Sequence, residues 1–142
     1  MKESLEKTKE RAEELASSLP ARVYALVGNL GAGKTTFAQF FLRALGVKGP
    51  ITSPTFVIIK KYILRPNPLP LIPNPYIYAY HIDCYRLHDP QELLVLGFAD
   101  ILADPHALVL IEWADKVRDL LPQDAIWLDF SRGRLTPMDK RI

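Results

Sequence analysis

The residues Gly28-Asn29-Leu30-Gly31-Ala32-Gly33-Lys34-Thr35 follow the spacing G-x-x-x-x-G-K-[ST], with a second threonine, Thr36, directly after. This pattern suits a backbone that curls its N–H groups around a polyphosphate, because glycines remove the Cβ clashes that such a curl creates. Lys34 would then place a point charge on the β- and γ-phosphates and the Thr35 hydroxyl would complete the coordination of Mg²⁺, with Thr36 near the α-phosphate. Glu112, closing the apolar run "ALVLIE", stands where such a site needs an acid to support the metal. In "HIDCYRL" an extended backbone puts His81, Asp83 and Tyr85 on one face and Ile82 and Cys84 on the other. Two readings of Asp83 stay open: a second carboxylate near the metal or an attacking water, or a structural acceptor of bonds from Tyr85 or Arg86.

These side chains work only if particular elements carry them. The loop must join a strand to a helix, and "VYALV" (Val23 to Val27) reads as a buried strand while the segment from about Lys34 to Leu45, closed by Gly46, reads as a helix. Upstream, Leu5, Ala12, Leu15, Ala16 and Leu19 recur near helical spacing from Ser4 until Pro20. "TFVIIKKYIL" and "YIYAYHIDCY" are rich in β-branched and aromatic residues and predict two strands joined by an elaborated hairpin, whose proline-rich "RPNPLPLIPNPY" forms a rigid loop. A short helix is expected from Pro90 through Leu96, a central strand over "ALVLIEW", a helical segment near Asp115 to Leu121, and a final strand "AIWLDF" before a basic tail.

A chain of 142 residues with 49% hydrophobic and 24% charged residues is expected to form a single domain, residues 1–142. The 18 basic and 16 acidic residues are interspersed, so no basic stripe marks a nucleic-acid surface. The single cysteine, Cys84, excludes an internal disulfide and fits a reducing compartment, so a cytoplasmic protein without a membrane span is expected.

Taken together, "GNLGAGKTT", "SPTF" (Ser53 to Phe56), "HIDCYRL" and "IEW" (Ile111 to Trp113) resemble the TsaE family, bacterial P-loop ATPases needed to form threonylcarbamoyladenosine next to the anticodon of tRNA. The resemblance implies an α/β P-loop NTPase fold, its central mixed, mostly parallel sheet flanked by helices. It also implies ATP and Mg²⁺ as cofactors, partnership with the TsaB and TsaD proteins, and contact with tRNA only through that assembly. By the same likeness Lys34 and Thr35 hold phosphates and Mg²⁺, Glu112 supports the metal, and Asp83 is required for hydrolysis. Thr55 falls in a switch-like segment, Thr8 lies near the adenine, Arg132 or Arg134 covers the other side of the base, and Trp113 faces the nucleotide or a partner. The chain departs from the family pattern at Asn29, where aspartate is usual, at Asp115, where glutamate is frequent, in its longer loop from Arg65 to Pro75, and in a short end after Phe130. Two other function classes fit the residues: a small-molecule kinase, and a nucleotide-dependent interaction module without significant turnover.

Overall fold

A computed structural model of the protein describes residues 5–52, 54, 57–64 and 75–130, with the backbone alone at 136–137. Its elements in chain order are α1 (Leu5–Ser18), β1 (Val23–Val27), α2 (Lys34–Ala44), β2 (Ile59–Ile63), β3 (Tyr78–Asp83), α3 (Gln91–Val95), α4 (Phe98–Ala103), β4 (Ala107–Glu112), a 3₁₀ helix (Ala114–Leu120), β5 (Ile126–Asp129) and β6 (Thr136–Pro137).

The strands form one sheet in the order β2-β3-β4-β1-β5-β6. The four inner strands run parallel, and β2 and β6 join antiparallel at the edges. The continuous apolar runs "VYALV" and "ALVLIE" become the two most central strands because parallel strands are covered on both faces, and every residue of each is buried. Successive side chains then feed two cores. On one face Tyr24, Leu26, Leu108 and Leu110 pack against Ala12 and Ala16 of α1 and Phe37 and Phe41 of α2. On the other, Ala25, Val109 and Ile111 meet Leu93, Phe98, Ile101 and Val117. The Tyr24 and Phe41 rings lie 5.0 Å apart, and burial pushes the Tyr24 phenol up to about 12.

Most expected elements are present, with instructive differences. Residues 98–103, to which periodicity assigns no element, form α4: Gly97 at φ 96° breaks the chain from α3 and restarts it so that Phe98 and Ile101 reach the second core. Arg22 ties the end of α4 to the sheet, its guanidinium donating to the carbonyls of Leu102, Asp104 and Ala107. The segment near Asp115 is a 3₁₀ helix, tighter than an α-helix, and begins at Ala114. β5 is followed by β6, so "AIWLDF" is not the last strand. β3 ends at Asp83, which leaves Tyr85 in the turn beyond it and not on the strand face expected for it. Thr55, Arg132, Arg134 and nearly all of the proline-rich loop lie outside the described residues.

Candidate functional site

The loop between β1 and α2 lies where the parallel strands point their carboxyl ends, the usual ligand crevice of such sheets. Gly31 and Gly33 have φ of 77° and 105°, a region that residues bearing a Cβ adopt only with strain, and a Cβ built at either would project into open space. The loop is therefore glycine-rich for its curl, and the space it encloses is left for a ligand. Gly33 caps α2 without any side-chain bond, so the first amides of an 11-residue helix face that space with the positive end of the helix dipole behind them.

Lys34 is only 4% exposed. Its Nζ donates to the carbonyls of Gly28 at 2.7 Å and Asn29 at 2.9 Å, and lies 4.3 Å from the centre of the Trp113 ring. Burial pulls its pKa down, while the carboxylates of Glu112, Asp83 and Asp115 act in the opposite direction. Thr35, one residue on, turns to the sheet and donates from Oγ1 to Glu112 Oε1 at 2.7 Å. The other carboxylate oxygen of Glu112 meets His81 Nε2 at 2.6 Å. Glu112 is 2% exposed, so both bonds offset the cost of burying its charge.

Sheet register brings Asp83 of β3 opposite Glu112 of β4. His81 and Asp83 thus share the α2 face with Glu112, as the alternation of "HIDCYRL" indicates, while Ile82 and Cys84 enter the other core. Asp83 is buried, and its Oδ1 accepts the Tyr85 backbone N–H at 2.9 Å. Lys116 secures the turn that follows by donating to the carbonyls of Tyr85 at 2.5 Å and Leu87 at 3.5 Å, a role that no local pattern signals.

A cavity of about 250 Å³ lies over these groups, lined by Lys34, Thr35, Thr36, Asp83, Glu112 and Trp113 together with Tyr85 and the loop from Leu30 to Gly33. Trp113 holds a left-handed backbone at φ 56°, uncommon for a bulky residue, and its ring packs 5.0 Å from that of Tyr85 at the cavity wall. Two expected residues are not brought in: Asn29 contributes a carbonyl to Lys34 but does not line the cavity, and Thr8 sits half-buried on α1, likewise outside the lining.

The donors suit a phosphate chain with a hard divalent cation. Thr35 and Glu112 present adjacent oxygens, and Asp83 adds a carboxylate beside them. Among the described residues no group of three or more His, Cys, Asp or Glu forms a cage for a metal by itself. No helix among the described residues is long and apolar enough to cross a membrane.

The family model described as "Threonylcarbamoyl adenosine biosynthesis protein TsaE" matches residues 2–141. The chain is 38% identical over 129 residues to the tRNA threonylcarbamoyladenosine biosynthesis protein TsaE of Bacillus subtilis, covering 90% of this chain and 73% of that one. It is 34% identical over 141 residues to the protein of the same name from Rickettsia bellii, covering 98% and 88%. With the Haemophilus influenzae protein, 36% identical over 98 residues, the match covers 69% of this chain and 55% of the relative. The crystal structure of Bacillus subtilis YdiB superposes with a TM-score of 0.65 at 31% identity, covering 89% of this chain and 71% of that one.

Proposed function

This chain belongs to the TsaE family of threonylcarbamoyladenosine biosynthesis proteins and has the P-loop NTPase fold, and on that premise we propose that it binds and hydrolyses Mg–ATP to support a TsaB–TsaD complex in modifying tRNA. The observation that carries the proposal is the Thr35–Glu112 hydrogen bond, which joins the phosphate loop to the end of β4 beside Lys34 and opposite Asp83.

In this reading the loop amides and the N-terminus of α2 hold the phosphates, and Lys34 leaves the Gly28 and Asn29 carbonyls to meet the β- and γ-oxygens. Thr35 and Glu112 would hold Mg²⁺, which would supply charge neutralisation of the phosphates. Asp83 accepts a proton from the attacking water as its oxygen bonds to the γ-phosphorus and the bridge to the β-phosphate breaks, giving ADP and inorganic phosphate. Lys34 is the one cationic side chain among the described residues that line the cavity, so a partner that adds positive charge would complete the site. Slow turnover by the isolated chain follows, as in phosphoryl-transfer sites that wait for an external arginine. The test is phosphate release from Mg–ATP by the protein alone and with the TsaB and TsaD proteins of the same organism. Strong stimulation, lost in Lys34→Ala, is expected; tight nucleotide binding with no stimulation would instead favour an interaction module. That second reading has an observation of its own, because Leu30 is 73% exposed and Tyr85 partly so beside the cavity, an apolar rim that a partner could cover.

Glu112→Gln keeps the size of the side chain and removes its charge. Since hydrogen bonds and contacts to a charged group are worth about 1.5–3 kcal/mol, the Mg²⁺ concentration for half-maximal turnover is expected to rise by about tenfold or more. A Mg²⁺ titration of phosphate release checks this, and an unchanged midpoint would remove Glu112 from the metal's surroundings.

A further inference from the structure

His81 is a buried polar residue that the proposed chemistry leaves without a task. It is fully buried on the α2 face of β3, in register with the apolar Leu110. Burying an imidazole there is unfavourable unless it is paired, and its pairing is one-sided. Nε2 lies 2.6 Å from Glu112 Oε2, while Nδ1 has no hydrogen-bond partner among the described residues.

The asymmetry fixes the direction of the bond. A carboxylate only accepts, so Nε2 must carry the hydrogen. That donor orients Glu112. The two carboxylate oxygens are then divided: Oε2 is held by His81, and Oε1 is turned to Thr35 Oγ1 at 2.7 Å. A glutamate side chain has several rotatable bonds, and this pair of bonds from two different elements fixes its rotation.

We propose that His81 is the positioning residue of this site: as an Nε2–H donor it fixes the Glu112 carboxylate so that Oε1 and the Thr35 hydroxyl face a divalent cation together. The inference rests on the Mg²⁺–nucleotide reading of the cavity. It also explains why the segment reads His-x-Asp: β3 alternation puts two polar side chains on one face, one to hold Glu112 and one to reach the cavity.

Two substitutions of similar polarity separate positioning from mere packing. The amide nitrogen of glutamine reaches the place of Nε2, whereas that of asparagine stops near Nδ1, so His81→Gln can keep the bond to Glu112 and His81→Asn cannot. Calorimetric titration with ADP, with and without Mg²⁺, reads the metal's contribution to affinity without relying on turnover. Metal-free affinity, which comes from the loop amides and Lys34, is expected to stay within about threefold in both variants. The Mg²⁺ enhancement is expected to match the wild type in His81→Gln and to fall by about tenfold to a hundredfold in His81→Asn, the range for residues that hold a metal ligand. An enhancement preserved in His81→Asn, one lost equally in His81→Gln, or a parallel loss of metal-free affinity would overturn the positioning role. Absence of any Mg²⁺ enhancement in the wild type would overturn the cavity reading itself, and this inference with it. Independently of whether either variant folds, the imidazole ¹⁵N shifts of His81 in the wild-type protein should show hydrogen on Nε2, and a ring that carries none there overturns the proposal.

Discussion

Lys34→Ala is expected to lower affinity for ATP by about tenfold to a hundredfold and to abolish phosphate release, because hydrogen bonds from a cation to phosphate are worth about 1.5–3 kcal/mol and no neighbouring cation replaces them among the described lining residues. The same change should not unfold the protein. Lys34 in the free protein is a buried ammonium held against two loop carbonyls, and its pKa is pulled down, mainly by burial. The charged form is thus less favoured in the folded chain than in the unfolded one. Below the folded pKa both states are protonated and this destabilisation is present in full. As pH rises through the folded pKa toward the ordinary lysine value, the unfolded chain binds more protons and the destabilisation is relieved. The wild type should therefore show an alkaline gain in stability that Lys34→Ala lacks, and thermal melts of both proteins from neutral to alkaline pH measure the difference. Equal nucleotide affinity in the two proteins would show that Lys34 stays on the Gly28 and Asn29 carbonyls when ligand binds.

The second large effect belongs to Asp83. Asp83→Ala should leave ATP affinity within about threefold and reduce turnover by about 10²- to 10⁴-fold, the usual contribution of a positioned general base. Alanine also removes the acceptor for the Tyr85 N–H, so the decisive variant is Asp83→Asn, whose side-chain carbonyl can still accept that bond. If proton acceptance is the role, Asp83→Asn loses turnover as Asp83→Ala does. If Asp83 serves only to hold the turn before Lys116 and Trp113, Asp83→Asn keeps turnover and Asp83→Ala loses both turnover and thermal stability. Single-turnover phosphate release, together with nucleotide affinity, distinguishes the two.

Much of the site is legible in the amino-acid sequence alone. The glycine spacing places the phosphate loop, the apolar run "ALVLIE" places Glu112 at a strand end, and alternation places His81 and Asp83 on one face. What alternation does not show is which partner each side chain meets. His81 reaches Glu112 across 31 positions of sequence, and Thr35 reaches the same carboxylate across 77. Neither pairing has a local signal. Tyr85 departs from its expected strand face because β3 stops at Asp83, whose carboxylate takes the Tyr85 amide out of the ladder. The helix α4 escapes a reading by periodicity for a related reason: six residues carry too few turns to establish a period, and what stabilises it is burial of Phe98 and Ile101 against the sheet.

By itself, then, the amino-acid sequence determined the parts of this protein governed by short-range physics: the glycine curl before Lys34, the strands on either side of it, the helix that follows, and the polar alternation of "HIDCYRL". Only the tertiary structure decided the strand order β2-β3-β4-β1-β5-β6 and the register that sets Asp83 against Glu112. The reason is that strand pairing is chosen by the combined burial of two cores and by backbone hydrogen bonds between distant segments, and the pattern of any one segment is compatible with several such pairings.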